Sequence, residues 1–578
     1  MSFRSSPRLF DPEHLIALPE IARWTLIAFA AGVLAGAASA LLLFSLELAT
    51  RLRESHIWLI AFLPVAGFAV GWLYHRYGRS VEAGNNLLLE EIHDPQSVIP
   101  ARMTPLVLLG TFISHLFGGS VGREGTALQT GASLADQLSK PLRLGPSDRR
   151  ILLMAGISGG FASVFGTPLA GAVFGLEVLA IGKLRYDAIL PCFIAAIVGD
   201  RITLAWGVHH TVYRIPFVPA IDASGLLLAV VAGVAFGTVA RLFANTTHRI
   251  SHWFRKTISY SPLRPLAGGA VVAAAVFALG TTRYVGLGIP AIVEAFSAPH
   301  APWDFAAKFL FTAVTLGSGF KGGEVTPLFF IGATLGNALG YLLPLPAPLL
   351  AGMGFVAVFA GAANTPLAST LMAIELFGAE GGIFAAIACV VSYLSSGHAG
   401  IYQAQRIGQS KHTAAGHEEG LSLAELPGLR RTPDIDLFHD LHLLGFLKGT
   451  DDSRMNELTV LRLYFRTGAT AQAQRGWKKV LKPALGPYLL QHAKEAGIDQ
   501  AILHRVSGGY LREGRLTLDH SDVVPPNLPQ CLELIGEEEL LRAFLDLHRP
   551  VLGGVRVVML RGEQLDLDSA TESQTVLD

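Results

Sequence analysis

Two acidic side chains stand beside glycines within long apolar stretches of this chain. Glu124 lies in the string Gly-Arg-Glu-Gly-Thr of Gly122–Thr126, and Glu324 lies in Gly-Gly-Glu-Val-Thr-Pro of Gly322–Pro327. An ionisable group in a membrane segment is costly and by default marks a path for ions or protons. A helix start presents free N–H groups and a positive dipole end, which favour an anion. A carboxylate there can compete with a mobile anion, so the pattern indicates anion transport that a titrating acid could couple to protons.

Glu124 is the predicted gate and proton carrier. When ionised, its carboxylate would occupy an anion site; when protonated, it would swing out and admit an anion. Desolvation favours the neutral acid, whereas a helix dipole and the neighbouring Arg123 favour the carboxylate. The alternative interpretation is a helix cap paired with Arg123, and Arg123 itself is assigned a mainly structural role.

Other polar side chains stand where they could donate hydrogen bonds to an anion. Asn85 follows Gly84 at a predicted helix start, where an ordinary N-cap is the alternative. Thr326 adds a hydroxyl beside Glu324, and Pro327 suits a first helical turn. Tyr402 ends the apolar part; its hydroxyl could also donate, although interfacial tyrosines have the same signature.

Two aromatic residues follow Pro327 and Leu328. Phe329 and Phe330 could turn positive ring edges towards an anion, but aromatic residues at such spacing more often serve packing. Both interpretations stay open from the sequence alone.

An internal repeat links the two acidic strings. Gly122 is followed nine residues later by Gly-Ala-Ser-Leu, and Gly323 is followed nine residues later by Gly-Ala-Thr-Leu. Each block leads to Thr-Pro-Leu-Ala, at 167–170 and 365–368, and an acid, Glu177 or Glu375, comes ten residues after each Thr. The shared order and spacing predict a duplication, and an inverted topology is typical of transporters built this way.

Composition places most of the chain in a membrane. The 578 residues are 51% hydrophobic and only 16% charged, against about 25% charged in soluble proteins. The net charge of zero argues against nucleic acid as a partner. Cys192, Cys389 and Cys531 are scattered without metal or disulfide spacing, so no metal and no cofactor are expected.

The apolar segments differ in length. Clear spanning candidates are Thr25–Leu48, Trp58–Tyr74 and Leu226–Ala244, since a crossing helix needs about 20 residues. The remaining apolar segments, including Ile189–Trp206, are shorter or broken by Gly and Pro. Half-crossing helices that meet near the midplane are characteristic of inverted-repeat transporters.

These patterns predict the following division of the chain: a cytoplasmic N-terminal segment 1–22 that is not a signal peptide, a transport domain 23–406 with repeats at about 23–206 and 224–406, a linker 407–455, a cytoplasmic domain 456–565 and a tail 566–578. The domain after the linker alternates strands and helices in the order β-α-β-β-α-β, which is the ferredoxin-like pattern.

A different class of protein deserves comparison. Gly156–Gly160 reads Gly-Ile-Ser-Gly-Gly, which contains the Gly-x-Ser-Gly string of rhomboid-type intramembrane proteases. Such an enzyme needs a histidine beside Ser158. His115, His209, His210 and His398 are the candidates. Small residues also let membrane helices pack closely, so the protein is not expected to be an enzyme.

Together, these strings resemble the CLC family of anion channels and anion/proton antiporters. The resemblance covers residues 20–406 and implies an all-α, inverted-repeat membrane fold, a homodimer with one pore per subunit, and Glu124 as the gating glutamate. It implies an anion site built from Asn85, Gly122, Gly125, Val325, Phe329, Phe330 and Tyr402, with structural roles for Arg123, Gly323 and Pro327.

Three departures from chloride-selective members are similar to the fluoride-specific CLC branch. Asn85 stands where those members have a serine, and Thr126 stands where they have a proline. Val178 stands where many exchangers carry an internal proton-transfer glutamate. The branch also implies that Glu324 and Thr326 take part in coupled transport. The domain at about 455–565 resembles a PII-like family. The residues that show this resemblance are Leu458–Arg466 and the segment at 504–510.

The resulting hypothesis is a fluoride/proton antiporter of the inner membrane, with both termini cytoplasmic, that exports fluoride. The alternative is a chloride channel or chloride/proton antiporter of the same fold. A third possibility is an anion sensor whose C-terminal domain signals. The expected partners are fluoride or chloride, protons, membrane lipid, a second copy of the chain, and an unknown ligand of the C-terminal domain.

Overall fold

The computed structural model describes residues 12–412, 418–426, 456–466, 469, 485–505, 508–509, 517–518 and 529–564. It divides into two compact units, Met1–Pro433 and Asp434–Asp578. Most of the predicted linker 407–455, the whole tail 566–578 and the start of the segment 1–22 lie outside the described residues.

The first unit is almost entirely helical. Its helices are α1 (Pro12–Ser55), α2 (Leu63–Leu73), α3 (Asn85–His93), α4 (Met103–Leu116), α5 (Glu124–Asp136), α6 (Pro146–Phe165), α7 (Pro168–Glu177), α8 (Ile189–Ala205), α9 (Ala223–Thr257), α10 (Leu263–Leu279), α11 (Ile289–Glu294), α12 (Asp304–Ser318), α13 (Val325–Leu339), α14 (Ala347–Ala363), α15 (Pro366–Phe377) and α16 (Gly382–Ser395).

Four helical stretches are long and apolar enough to cross a membrane: Leu18–Ser55, Ile57–His93, Tyr186–Ala205 and Ala223–Thr257. Three of them contain the predicted spanning candidates. The fourth, Tyr186–Ala205, extends a segment that the sequence places among the shorter ones, because a 3₁₀ turn at Tyr186–Ala188 precedes α8. The other apolar helices have 10–17 residues, as the interrupted hydrophobic pattern predicts. α1 begins at Pro12 and so includes part of the segment expected to precede the transport domain.

The repeated Thr-Pro-Leu-Ala blocks are helix breaks of the same design. α6 ends at Gly166 and α14 ends at Asn364, both in the left-handed conformation (φ +71° and +59°). A proline then begins the next helix, Pro168 in α7 and Pro366 in α15, where its missing N–H costs nothing. Each break leaves free N–H groups at the start of a short helix.

A carboxylate from the opposite repeat satisfies those N–H groups. Glu177, at the end of α7, accepts from the N–H groups of Leu367 (3.0 Å) and Ala368 (2.9 Å) in α15. Glu375 accepts from Leu169 (2.9 Å) and Ala170 (2.8 Å) in α7. The two repeats therefore cap each other reciprocally, which explains the repeated acids.

Two short strands, β1 (Ala180–Ile181) after α7 and β2 (Arg406–Ile407) after α16, pair in parallel and so connect the two repeats. Lys411 follows β2 and caps the end of α16: its ammonium donates to the carbonyl oxygens of Tyr393 and Gly397, both at 2.7 Å. The chain after the last membrane helix is thus bonded to the helical unit.

The second unit has the ferredoxin-like topology that the sequence predicts. It contains β3 (Asn456–Arg466), α17 (Leu485–Glu495), β4 (Gln500–Arg505), the short strands β5 (Gly508–Gly509) and β6 (Thr517–Leu518), β7 (Pro529–Gly536), α18 (Glu538–His548) and β8 (Arg556–Gln564). The sheet order is β4-β7-β3-β8, with antiparallel neighbours. Leu461, Leu463, Leu489, Leu532 and Leu541 form its buried core. Residues 506, 507 and 510 of the PII-like segment lie outside the described residues.

Candidate functional site

The loops before α5 and α13 meet in the interior of the helical unit. The N–H of Gly122 donates to the carbonyl of Gly323 (2.6 Å), and the N–H of Gly323 donates to the carbonyl of Gly122 (2.8 Å). A Cβ on Gly122 would lie 2.9 Å from both the Gly323 oxygen and the Cδ atom of Pro327. Glycine is therefore required here, because only bare backbone lets the two helix starts come this close.

The Glu124 carboxylate lies on the first turn of α13. Its Oε2 atom accepts from the Thr326 N–H (3.0 Å) and from the Arg123 N–H (3.1 Å), and its Oε1 atom accepts from the Thr326 hydroxyl. The side chain is fully buried. Free N–H groups at a helix start favour negative charge, and here a side-chain carboxylate accepts from them.

The Arg123 guanidinium lies beside this carboxylate without forming a close pair. Its Nε atom is 3.7 Å from Glu124 Oε1 and is buried with no hydrogen-bond partner among the described residues. Arg123 also lines a cavity of about 830 Å³, together with His209, His210 and charged side chains of α1 and α11. This cavity is called the Arg123 vestibule.

Asn85, Glu324 and Tyr402 line a second cavity, of about 310 Å³, called the Asn85 vestibule. In the part of the chain that the structure describes, Asn85 Oδ1, Glu324 Oε2 and the Tyr402 hydroxyl are all buried without a hydrogen-bond partner. Buried polar atoms are normally bonded, so three unpaired atoms around one cavity indicate a place for exchangeable ligands such as water, protons or an anion.

Gly125 explains how these groups approach each other. A Cβ at Gly125 would lie 3.0 Å from Asn85 Nδ2 and 3.6 Å from Glu324 Oε2. Asn85 begins α3 directly after Gly84, whose φ of +60° turns the chain into that helix. Val325 is the first residue of α13, so its N–H belongs to the same helix start that holds Glu124.

Comparison with known proteins agrees with this geometry. A family model described as "Voltage gated chloride channel" matches residues 66–397. The chain belongs to this family, the CLC proteins. It is 58% identical over 434 residues, 74% of this chain and 94% of its relative, to a "Chloride/fluoride channel protein" of Pseudomonas syringae pv. tomato. A crystal structure of a CLC-type fluoride/proton antiporter matches with a TM-score of 0.66 and 35% identity, over 67% of this chain and 98% of that one.

A more distant CLC relative is an H(+)/Cl(-) exchange transporter of Vibrio cholerae, 27% identical over 341 residues, 55% of this chain and 72% of that protein. Membership of the family and the apolar helices make this a membrane protein, and the mostly helical CLC fold predicted from sequence is confirmed.

The two phenylalanines of the predicted site lie in packed surroundings. Phe329 stacks on Phe355, with ring centroids 4.0 Å apart, and also contacts Phe165. Phe330 lies against Gly288, with the Lys308 ammonium 5.3 Å from its ring centroid. Neither ring lines the Arg123 or the Asn85 vestibule. A direct contact between either ring and an anion stays a prediction.

The protease interpretation gains no support. Ser158 is fully buried in α6, and its hydroxyl donates to the Ala172 carbonyl (3.4 Å). His115 bonds to the Thr111 carbonyl, and His398 bonds to Glu418. No described histidine is hydrogen-bonded to Ser158, so the serine packs between helices.

Lys321 is a residue of the Asn85 vestibule that sequence reasoning missed. Its ammonium lies 4.1 Å from the centre of the Tyr74 ring and 3.5 Å from the Glu82 carbonyl oxygen. A lysine directly before Gly322 in an apolar stretch is the signal that could have drawn attention to it. Lys321 therefore lines the same cavity as Glu324 and Asn85.

Proposed function

We propose that this CLC protein is a fluoride/proton antiporter that exports fluoride from the cytoplasm, with Glu124 as its gate and proton carrier. The observation that carries the proposal is the Glu124 carboxylate bonded to the start of α13, where it takes the place of an anion. The similarity to a chloride/fluoride channel protein and to a CLC-type fluoride/proton antiporter supports fluoride as the anion.

The chemistry of the site suits fluoride. Fluoride is small and strongly hydrated, so a site must replace its water with several strong donors. Asn85 Nδ2, the Thr326 hydroxyl and the N–H groups that begin α13 can supply them. A neutral Glu324 could add an O–H donor from the Asn85 vestibule.

Exchange follows from competition for one position. While Glu124 is ionised it holds the first turn of α13. A proton that neutralises it weakens the bonds from Thr326 and Arg123, since both donors prefer a charged acceptor. The side chain can then leave and an anion can take its place. Return of Glu124 as a carboxylate expels the anion and releases the proton.

The proposal includes a position in the cell. The protein lies in the cell's inner membrane with both termini in the cytoplasm, and the Arg123 vestibule opens to the outside. It acts as a homodimer with one transport path per subunit. The second unit, Asp434–Asp578, binds a ligand whose identity is unknown.

The test is anion efflux from liposomes that hold the purified protein, with fluoride and chloride compared and internal pH followed. The proposal predicts fast fluoride efflux with proton movement in the opposite direction. Chloride/proton exchange is the second candidate, because the chain is homologous to an H(+)/Cl(-) exchange transporter. Fast chloride efflux with little fluoride preference would favour that candidate, and tight anion binding without flux would favour a sensor.

A further inference from the structure

Asp200 and His210 face each other beside the Arg123 vestibule. Asp200 lies on α8 and is 1% exposed, and His210 lies in the loop that follows α8. Asp200 Oδ1 and His210 Nε2 are 3.9 Å apart. Both atoms are buried, and neither has a hydrogen-bond partner in the part of the chain that the structure describes.

This pair has a place for one proton. A carboxylate oxygen and a bare ring nitrogen would repel each other at this separation, whereas an imidazolium would attract the carboxylate. The distance is too long for a direct hydrogen bond, but one water molecule or a small ring rotation closes it. The two unpaired atoms therefore form a site that protonation completes.

The neighbouring charges keep that proton exchangeable. The pKa of His210 lies below its ordinary value, chiefly because the side chain is buried and also because Arg123 and Arg201 are positively charged. Asp200 and the Val164 carbonyl act in the opposite direction and raise this pKa. Arg201 also donates to Asp200 Oδ2 at 2.5 Å. The remaining charged groups around the pair and the vestibule are Glu375 on α15, Glu47, Arg51, Arg53 and Glu54 on α1, Arg283 before α11, Glu294 on α11, and His209.

The vestibule that His210 lines also reaches Arg123, the neighbour of Glu124. His210 and Arg123 line the same vestibule, which is large enough for water. The Arg123 Nε atom, also unpaired, is 3.7 Å from Glu124 Oε1. Glu124 itself is fully buried, so vestibule water can exchange protons with it only through neighbouring groups, and Arg123 and His210 both line this vestibule.

We propose that His210, held by Asp200, is the proton-relay residue between the Arg123 vestibule and Glu124; this rests on the proposed antiport. A proton moves from vestibule water to His210 Nε2, whose positive charge Asp200 balances. It then moves through water to a Glu124 oxygen, which leaves His210 neutral and Glu124 uncharged. In the opposite direction, Glu124 returns its proton along the same path.

The test compares His210→Gln, Asp200→Asn and the control His209→Gln in liposomes. His209 is the exposed neighbour that lines the same vestibule. Fluoride-driven proton movement is measured between about pH 5 and pH 8, the range where imidazole titrates. We expect His210→Gln to slow exchange at least about tenfold and to remove the pH dependence of the wild type. The KM for fluoride should stay within about twofold, because a relay acts on turnover rather than binding.

Asp200→Asn supplies an independent readout if His210→Gln folds poorly. Without the carboxylate, His210 loses a group that favours its protonated form, so the pH profile should move to lower pH by about one unit. The relay would be wrong if His210→Gln and Asp200→Asn both kept the wild-type pH profile of exchange. It would also be wrong if His209→Gln slowed exchange as much as His210→Gln. Neither result would contradict antiport itself. A wild type that moves no protons would defeat both proposals.

Discussion

At the scale of single residues, the proposed gate rests on the bonds that the Glu124 carboxylate makes at the start of α13. Two N–H groups and one hydroxyl converge on it, and Arg123 adds a cation nearby. A hydrogen bond to a charged group contributes roughly 1.5–3 kcal/mol. Expelling Glu124 therefore requires either a proton on the carboxyl group or an anion that binds comparably well.

Glu124→Gln should abolish proton-coupled exchange. The amide can still accept from Thr326, but it cannot take up or release a proton. The measurement is fluoride efflux with internal pH recorded, and Glu54→Gln is the control because it makes the same change at an exposed acid of the Arg123 vestibule. Coupled flux that persists in Glu124→Gln at the wild-type rate would refute the assigned role.

Asn85→Ser should lower the fluoride preference. The serine hydroxyl is shorter than the amide and does not reach the position of Nδ2 beside Gly125. Loss of one donor to a charged ligand predicts a fall in the fluoride-to-chloride flux ratio of about tenfold or more. Asn86→Ser is the control, since the Asn86 side chain already accepts from the Ala404 N–H. An unchanged ratio in Asn85→Ser would remove Asn85 from the selectivity account.

Sequence patterns identify some of these residues better than others. Glu124, Glu324 and Asn85 could be singled out because glycine, charge and a helix start coincide in a few adjacent positions. The convergence of Asp200, His210 and Arg123 could not, because the chain brings them together only through the packing of α5, α6 and α8. For Phe329 and Phe330 the sequence left packing and anion contact both open, and the structure places both rings in packed surroundings.

At the scale of elements, the short helices α7 and α15 depend on each other for their first turns. Each begins with N–H groups that have no partner within their own helix. Glu177 and Glu375 satisfy them from the opposite repeat. The two repeats are thus held in register by two pairs of charge-assisted bonds.

Glu177→Ala should destabilise the protein more than Glu375→Ala. Glu177 is 7% exposed, whereas Glu375 is only partly buried. Loss of a cap predicts a cost of about 1–2 kcal/mol, larger where water cannot replace it. Thermal unfolding in detergent measures the effect, with the exposed Glu380→Ala as control. Equal melting temperatures for Glu177→Ala and Glu380→Ala would contradict the reciprocal caps.

Sequence patterns predict some element boundaries and not others. Glycine and proline predicted that many apolar segments are broken, and the helix breaks after α6 and α14 agree with this. The boundaries within Ile57–His93 could not be predicted from the sequence. This region is one long helical stretch that changes from 3₁₀ to α and π geometry before α3. These changes are set by tertiary packing, and an apolar run does not reveal them.

At the scale of the whole molecule, the face formed by α7 and α15 offers a test of the proposed homodimer. α7 and α15 are too short to cross a membrane, yet they contact each other and expose Leu169 (44%) and Leu367 (48%) beside the partly buried Glu375. A carboxylate facing hydrocarbon is costly. In the proposed homodimer, a second copy of the chain would cover this face by two-fold symmetry.

Leu367→Trp should therefore weaken a homodimer. The larger ring would clash at a packed two-fold interface but would be tolerated in lipid or detergent. Light scattering in detergent gives the mass, and Leu41→Trp on α1, 55% exposed, is the control. A monomer mass for the wild-type protein would contradict the dimer. Equal dimer masses for Leu367→Trp and Leu41→Trp would contradict a dimer through this face.

The central claim is that fluoride and protons move in obligatory exchange, and uphill transport tests it most directly. Liposomes with the purified protein are given equal fluoride inside and outside, an imposed pH difference and a clamped membrane potential. Antiport predicts that fluoride moves against its own gradient until the proton gradient balances it. If fluoride stays at equilibrium while the pH difference persists, the protein is a passive channel and the account of Glu124 as a proton carrier is wrong.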